Sequence, residues 1–205
     1  MNSIQPLIQR VQKSQHGFTD IQSAAEEVFA SQSATEALIL AKELFASEVH
    51  QARMLATFLF GKLSAKSKES LAFLRKRVSL DKDWRVQEIL AQAFDQYCKD
   101  TGYEKSLPAI KDWLKDANPN VRRAVTEGLR IWTSRDYFRE NPDVAIKLLS
   151  QLRADESEYV RKSVGNALRD ISRKHKDLIQ EELQSWDISQ KHIHQTYELA
   201  GRFLK

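Results

Sequence analysis

A repeated stripe of apolar positions runs through the middle of the chain. Three segments align without gaps: DKDWRVQEILAQAFDQY from Asp81, DANPNVRRAVTEGLRIW from Asp116 and DESEYVRKSVGNALRDI from Asp155. In each, a valine lies five residues after the aspartate, and apolar residues follow four and eight positions after the valine. Because four residues make about one helical turn, each segment predicts an amphipathic helix with one buried stripe. The stripe positions are Val86, Leu90 and Phe94; Val121, Val125 and Leu129; and Val160, Val164 and Leu168.

The spacing of these copies predicts helix pairs. The three valines lie 35 and then 39 residues apart, which leaves room for one more helix in each copy, such as LPAIKDWLKD or PDVAIKLLSQL. A weaker copy, with Ala52, Ala56 and Phe60, lies 34 residues before the first stripe. No stretch shows sustained alternation with a β-branched bias, so we expect an all-α protein. Helix pairs that open their second helix with D-x-x-x-x-V-R resemble HEAT repeats, which implies a solenoid of antiparallel pairs with a concave face.

The flanking segments predict caps on such a stack. A chain of 205 residues can form one core, so we expect one domain over residues 1–205. Within it we expect N-terminal capping helices over 1–46, repeats over 47–186 and a C-terminal capping helix over 187–205, since an open end exposes the core. Ser33 or Thr35 is expected to cap the helix SATEALILAKELF.

Composition excludes several classes of protein. The single cysteine, Cys98, cannot form an intramolecular disulfide, and no apolar run is long enough to span a bilayer. The start MNSIQPLIQRV lacks the features of a signal peptide, so a cytoplasmic protein is expected. We also expect a monomer. No glycine-rich phosphate loop occurs, and His192 and His194 lie two positions apart, so neither a cofactor nor a metal site is expected. The formal charge of +4 permits binding to a polyanion without requiring it.

The positions opposite the apolar stripe combine an aromatic ring, a carboxylate and cations. At about 100° per residue they lie roughly 200° around the helix from the repeat valine, on one side. A tryptophan there can stack on a sugar or base, cations can hold phosphates, and a carboxylate can stabilise positive charge, which together favour nucleic acid. The alternative is that the tryptophan covers its own helix pair while the glutamate and arginine form a salt bridge between repeats. The residues are Trp84, Glu88, Arg123, Lys162 and Asn166.

Two other arginines at repeat positions receive a structural interpretation. In HEAT repeats, the aspartate that opens the second helix and the residue six positions later commonly form a ladder between repeats. The corresponding residues are Asp116 with Arg122 and Asp155 with Arg161, whereas the first copy has a glutamine at the later position. We therefore expect Arg122 and Arg161 to stabilise the stack and not to bind phosphate.

The linker RIWTSRDYFRENPD interleaves aromatic and basic residues between the second copy and the next helix. Such interleaving is found where proteins insert into nucleic acid, but rings can equally pack under the longer, 39-residue repeat. We expect Trp132 and Phe138 to pack inside, and leave the roles of Tyr137 and Arg135 open. Arg135 is a candidate DNA contact.

From about Val49 to Trp186 the chain resembles the bacterial DNA alkylation repair proteins built from HEAT-like repeats, the AlkC and AlkD type. The stretch SEYVRKSVGNALRDISRKH is the most specific match. In that family the site comprises a tryptophan, a carboxylate four residues later, an arginine on the next repeat and a second tryptophan on the repeat after that. The resemblance assigns these to Trp84, Glu88 in place of the AlkD-type aspartate, and Arg123. Asn166 stands where the AlkD type has the second tryptophan, so the chain resembles the AlkC side there.

The resemblance implies binding to double-stranded DNA and removal of cationic N3- or N7-alkylated purines by cleavage of the N-glycosidic bond. Trp84 would then pack on the deoxyribose, Glu88 would stabilise the oxocarbenium-like sugar and orient a water, and Arg123 would hold a flanking phosphate. Asn166 provides no aromatic wall, so the sugar is held on one side unless another ring substitutes. Two alternatives therefore stay open: a non-catalytic relative that binds DNA structure or damage, and a protein-binding scaffold.

Overall fold

A computed structural model describes residues 4–204, and in this part of the chain every regular element is a helix. The expectation of an all-α protein is confirmed. Short 3-10 helices cover Val78–Leu80 and Gly201–Phe203. The α-helices are α1 Gln5–Val11, α2 Thr19–Ser31, α3 Ala34–Phe45, α4 His50–Ser64, α5 Lys68–Lys76, α6 Trp84–Thr101, α7 Leu107–Trp113, α8 Pro119–Trp132, α9 Pro142–Ser150, α10 Glu158–Ser172, α11 Lys176–Gln184 and α12 Lys191–Ala200.

The chain forms two compact units, with the boundary between Thr101 and Gly102. The N-terminal unit contains α1 to α6 and the C-terminal unit contains α7 to α12. The single domain over 1–205 and its limits at 46 and 186 stay predictions, and residues 1–3 and 205 of that domain lie outside the described residues. Within the described range, no helix has the length and apolar character needed to cross a membrane.

Helix α4 is the centre of the N-terminal unit and packs against α2, α3, α5 and α6. The weaker fourth copy of the stripe is confirmed there, because Ala52, Ala56 and Phe60 have no exposed surface. A Cβ atom on Gly61 would lie 2.8 Å from the Cα atom of Ala93 in α6. Only glycine therefore allows α4 and α6 to approach so closely, and this contact fixes the helix that carries Trp84 and Glu88.

Helix α10 has the equivalent position in the C-terminal unit and packs chiefly against α8 and α12. The stripe residues of α8 and α10 have no exposed surface, as the pattern predicts. Gly165 faces α12, where an added Cβ atom would lie 2.5 Å from the Cβ atom of Leu199. Close packing on both flanks leaves α10 with one open side, which carries Lys162 and Asn166.

Aromatic residues near the end of the second copy form a buried cluster in the C-terminal unit. Trp132 and Phe138 have no exposed surface, and their rings stack with centroids 5.5 Å apart and an interplanar angle of 19°. The ring of Tyr103 contacts both. The prediction that Trp132 and Phe138 pack inside is confirmed. The predicted linker was wrong at its start, because α8 continues to Trp132 and makes the segment Arg130–Trp132 helical.

The repeat aspartates shape the connections before the second helices. Each carboxylate accepts a hydrogen bond from the backbone N–H two residues later, with an N–O distance of 2.8–2.9 Å, which closes a turn immediately before the helix. Asp81 also binds the guanidinium of Arg53 in α4 with both carboxylate oxygens, at 2.6 and 3.1 Å. Asp81 therefore both shapes the turn and binds a neighbouring helix. The three aspartates are Asp81, Asp116 and Asp155.

The ladder predicted for the repeat arginines exists in the C-terminal unit, with the carboxylate supplied by the following repeat. Arg122 donates two hydrogen bonds of 2.7 Å to the carboxylate of Asp155. Arg161 donates to the side-chain carbonyl of Gln195 in α12 at 2.9 Å and to the backbone carbonyl of Asp155 at 2.6 Å. The structural role predicted for both arginines is confirmed.

Helix α3 begins at a reciprocal cap. The backbone N–H of Glu36 donates to the Ser33 hydroxyl at 3.3 Å, and the Glu36 carboxylate accepts from the Ser33 backbone N–H at 2.9 Å. This capping box satisfies donors that a helix start leaves unpaired. Of the two predicted caps, Ser33 is therefore the correct one.

Candidate nucleic-acid interface

Helix α6 presents an exposed aromatic ring followed by a carboxylate one turn later. Trp84 is the first residue of α6 and is 59% exposed, and Glu88 is also exposed. Among residues 4–101, the described part of the N-terminal unit, the Glu88 carboxylate has no hydrogen-bond or ion-pair partner. Val86 and Leu90, on the opposite side of the helix, have no exposed surface and anchor it. The alternative that Trp84 covers its own helix pair does not fit a ring exposed to this extent.

A charged cluster at the start of α6 flanks the indole. Arg85 donates to both carboxylate oxygens of Asp83, at 2.9 and 2.7 Å, and its guanidinium carbon lies 5.8 Å from the centroid of the Trp84 ring. The hydrogen bonds from the Arg85 side chain are the main reason that the pKa of Asp83 falls to about 2. The pKa of His50 is lowered, mainly because its imidazole is partly buried. The Nδ1 atom of His50 lies 4.0 Å from a carboxylate oxygen of Asp83. The guanidinium of Arg85 is a cation beside Trp84, and the sequence pattern did not single out this residue.

Arg123, in the second turn of α8, is largely covered. Its side chain is 12% exposed, and its guanidinium carbon lies 4.4 Å from the centroid of the Tyr159 ring in α10. Its Nε atom is 3.9 Å from a carboxylate oxygen of Glu127 on the same helix. The structure therefore places Arg123 against a ring and beside a carboxylate, and not as an isolated surface cation.

Lys162 and Asn166 lie one turn apart on the open side of α10. The Lys162 ammonium lies 2.7 Å from the Glu158 carboxylate, and both side chains are more than 60% exposed. Solvent screening makes an ion pair of this kind weak, so the ammonium can exchange its partner for a phosphate. Asn166 is half-buried, and its amide makes no hydrogen bond with the described residues of the C-terminal unit.

Arg135 lies apart from the other candidates of its unit. It is exposed, in the connection between α8 and α9. Nine residues separate Arg123 from the end of α8 at Trp132, a rise of about 14 Å, and Arg135 lies beyond that end. The ring of Tyr137, the other residue left open, packs edge-on against Phe138 with centroids 5.2 Å apart. The structure therefore does not bring Arg135 together with Arg123.

Polar contacts tie α8 to α10 along the side that carries Arg123. The Ser163 hydroxyl donates to the Glu127 carboxylate at 2.7 Å and lies 2.6 Å from the Thr126 hydroxyl. Further along both helices, Arg130 donates to the Asp170 carboxylate at 2.5 Å. These contacts fix the position of α8 relative to α10. Arg123 on α8 and Tyr159 on α10 are therefore held in contact.

Metal-ligating side chains do not cluster in residues 4–204. No group of three or more histidine, cysteine, aspartate or glutamate residues there could hold a metal ion. His192 and His194 are both exposed on α12, and Cys98 is buried in α6.

Comparison with known proteins identifies the family. The profile of the DNA alkylation repair enzyme family matches residues 17–199, which is most of the chain. The chain belongs to the DNA alkylation repair enzyme family. AlkD2 from Streptococcus mutans is 50% identical to this family member, with 98% of this chain and 99% of AlkD2 covered and a TM-score of 0.94. The structure of smu.31 from Streptococcus mutans UA159 is 49% identical over the same shares of each chain, with a TM-score of 0.91.

Two further matches cover smaller parts of the known proteins. The alkylpurine DNA glycosylase AlkC from Pseudomonas fluorescens, solved bound to DNA containing an abasic site analog, is 21% identical. It matches 96% of this chain and 62% of its own length, with a TM-score of 0.54. The uncharacterized protein YhaZ from Bacillus subtilis is 37% identical over 87 residues, which is 40% of this chain and 24% of YhaZ. The match therefore spans about a quarter of the curated relative. The helical-repeat fold is confirmed by these comparisons.

Besides Arg85, the sequence pattern also missed Tyr159, which contacts Arg123 from α10. It lies seven residues, or two helical turns, before Asn166, so both project from nearly the same side of α10. That spacing was visible in the sequence. Tyr159 was overlooked because it directly precedes the repeat valine, a position that is not part of the three-copy pattern of the surface.

Proposed function

We propose that this family member binds duplex DNA and recognises cationic alkylated purines, with Trp84 and Glu88 as the lesion-facing pair. The observation that carries the proposal is the 59% exposure of Trp84 beside a carboxylate that has no partner in its own unit. A large aromatic side chain left in solvent is characteristic of a binding surface. Membership of the DNA alkylation repair enzyme family supports the same class of ligand.

The two units have separate tasks in this proposal. Trp84 packs on the deoxyribose of the modified nucleotide, and Glu88 interacts with the positive charge of the lesion. In the C-terminal unit, Arg123, Lys162 and Arg135 bind phosphates, and the Asn166 amide donates to the sugar-phosphate backbone. Three phosphate contacts on duplex DNA give a slope of log affinity against log salt concentration of about −2.7.

Excision of the base is the second candidate function, favoured by the unpartnered Glu88 carboxylate. In N7- or N3-alkylated purines the bond between C1′ and the base nitrogen breaks, and its electron pair neutralises the leaving base, so no general acid is required. Glu88 would stabilise the positive charge that develops on the sugar and orient a water. The water oxygen then bonds to C1′, and its proton passes to the carboxylate and on to solvent.

The proposed setting is a cytoplasmic monomer that contacts DNA alone. The relatives named above come from bacteria, whose DNA lies in the cytoplasm. A monomer leaves α6, α8 and α10 free to reach the duplex. Sedimentation of the protein with and without DNA tests this stoichiometry.

Duplex binding is measured by fluorescence anisotropy over a range of salt concentrations. We expect salt-sensitive binding, a loss of affinity for Trp84→Ala, and a slope reduced by about 0.9 for Lys162→Ala. Ile188→Ala serves as the control, because Ile188 is 46% exposed between α11 and α12 and is outside the proposed surface. Absence of salt-sensitive binding would leave the protein-binding scaffold as the better interpretation.

Base release separates recognition from excision. Methylated duplex DNA is incubated with excess protein at low salt, and N7-methylguanine and N3-methyladenine are quantified. Release by the wild type that is lost in Glu88→Gln establishes a glycosylase with this carboxylate at its centre. Binding without release identifies a non-catalytic relative, and Asn166→Trp is then the variant that tests whether a missing aromatic side chain accounts for the absence of activity.

A further inference from the structure

Tyr159 is an aromatic residue whose exposure does not follow from the packing of its unit. It is the second residue of α10 and is 45% exposed, whereas Trp132 and Phe138, the structural aromatics of the same unit, have no exposed surface. Its hydroxyl makes no hydrogen bond with residues 102–204, the part of the C-terminal unit that the structure describes. The ring and its polar tip are therefore both open to a ligand.

One face of the Tyr159 ring is already in contact with a cation. The guanidinium carbon of Arg123 lies 4.4 Å from the ring centroid, close enough for a cation–π interaction. The Arg123 side chain is only 12% exposed, and the ring lies over one side of its guanidinium. Since the ring of Tyr159 is nearly half exposed, surface remains free beside the buried cation.

The position of Tyr159 along α10 places this free surface among the candidate DNA contacts. Lys162 follows three residues later and Asn166 seven residues later. At about 100° per residue, Tyr159 lies about 60° around the helix from Lys162 and about 20° from Asn166. An aromatic surface, two cations and an amide thus occupy one side of the C-terminal unit.

We infer that Tyr159 and Arg123 form one nucleotide-binding element, in which the exposed surface of the tyrosine ring stacks on the sugar of a nucleotide in the bound duplex while Arg123 binds an adjacent phosphate. The ring supplies apolar contact area that is independent of base sequence. The stack also holds the arginine in place before DNA arrives, which lowers the entropy cost of the phosphate contact. The inference rests on the proposed binding of DNA.

The test compares Tyr159→Ala with Tyr159→Phe in the anisotropy assay, over the same range of salt concentrations. Loss of a stacked ring weakens nucleic-acid binding by about tenfold. We expect Tyr159→Ala to lose about tenfold in affinity with an unchanged salt slope, and Tyr159→Phe to stay within about twofold of the wild type. Ile188→Ala again controls for removal of an apolar side chain of similar exposure, 46% against 45%.

The salt slope distinguishes a ring that contacts DNA from one that only positions Arg123. If Tyr159→Ala reduced the slope by about 0.9, as loss of one phosphate contact does, the ring would act only through the arginine and the inference would be wrong. An affinity equal to that of the wild type would also overturn it, while leaving DNA binding established. Absence of binding by the wild type would overturn both proposals. Circular dichroism of each variant verifies that the helices are intact.

Discussion

Two adjacent arginines in α8 provide a test that separates a residue needed for stability from a residue proposed to bind DNA. Arg122 and Arg123 follow each other in sequence, yet Arg122 binds the carboxylate of Asp155 and Arg123 stacks on Tyr159. We expect Arg122→Met to lower stability with little effect on DNA affinity. We expect Arg123→Met to lower DNA affinity with little effect on stability. Methionine retains apolar contact area in both cases, so the comparison isolates the guanidinium.

The expected loss of stability in Arg122→Met follows from the burial of Asp155, the partner of Arg122. The side chain of Asp155 is 5% exposed and that of Arg122 is 13% exposed, so the substitution leaves a buried carboxylate without its cation. Removing one partner of a buried pair costs about 3–5 kcal/mol, and the lower end applies here because the Asp155 carboxylate also accepts the Ser157 N–H at 2.8 Å. For a protein of this size, about 3 kcal/mol corresponds to a decrease in Tm of about 6–12 °C.

The assay for this pair combines thermal unfolding, followed by circular dichroism at 222 nm, with DNA binding well below either Tm. Arg123→Met should change Tm by less than about 3 °C, because its ion pair with Glu127 is long, 3.9 Å, and its cation–π contact is modest. It should reduce the salt slope of DNA binding by about 0.9. The division of roles is refuted if folded Arg122→Met loses the phosphate contact and Arg123→Met does not.

Two further variants test local features of the N-terminal unit. Ser33→Ala removes the hydroxyl of the capping box and should destabilise the protein by about 1 kcal/mol in urea unfolding, whereas Ser31→Ala, outside the cap, should not. Asp83→Asn should be less stable than the wild type at pH 6, because the lowered pKa of Asp83 favours the folded state while the carboxylate is ionised. This difference should shrink as the pH falls from about 4 to about 2, where the wild-type carboxyl becomes protonated. A difference independent of pH would show that the Arg85 pair does not contribute.

Periodicity was sufficient for the fold because the helices of each unit meet through their apolar stripes. The valine of each copy and the residues four and eight positions later are buried wherever the pattern predicted them, and the intervening prolines and aspartates mark the connections. The residue at which each of these helices begins was less predictable. Each repeat aspartate lies three residues before the first residue of its helix, because its carboxylate closes a turn instead of opening the helix. The end of α8 was also misplaced, since Trp132 is both helical and part of a buried aromatic cluster.

The sequence predicted which side of each helix carries the candidate site, but not which side chains on that side are covered by neighbouring residues. The angular position of a residue on a helix follows from its number, so the sequence indicated which side Trp84 and Arg123 would face. Whether a side chain on that side is open depends on residues of the adjacent helix, whose register the pattern does not specify. Tyr159 covers Arg123 from α10, whereas nothing in the N-terminal unit covers Trp84 to the same extent. Arg85 was missed for a similar reason, since its contact with Asp83 is a local turn and not a periodic feature.

The carboxylate at Glu88 bears directly on the choice between general DNA binding and recognition of charged lesions. A surface selected only to bind phosphates gains from cations, and an exposed carboxylate there repels the backbone and lowers affinity. Glu88 has no partner in its unit that would neutralise it, so its charge is felt by any bound DNA. A cationic purine reverses the sign of this interaction. Glu88→Gln should therefore tighten binding to unmodified duplex while removing any preference for methylated duplex, whereas a carboxylate that served the surface only as an ordinary solvated side chain would change neither.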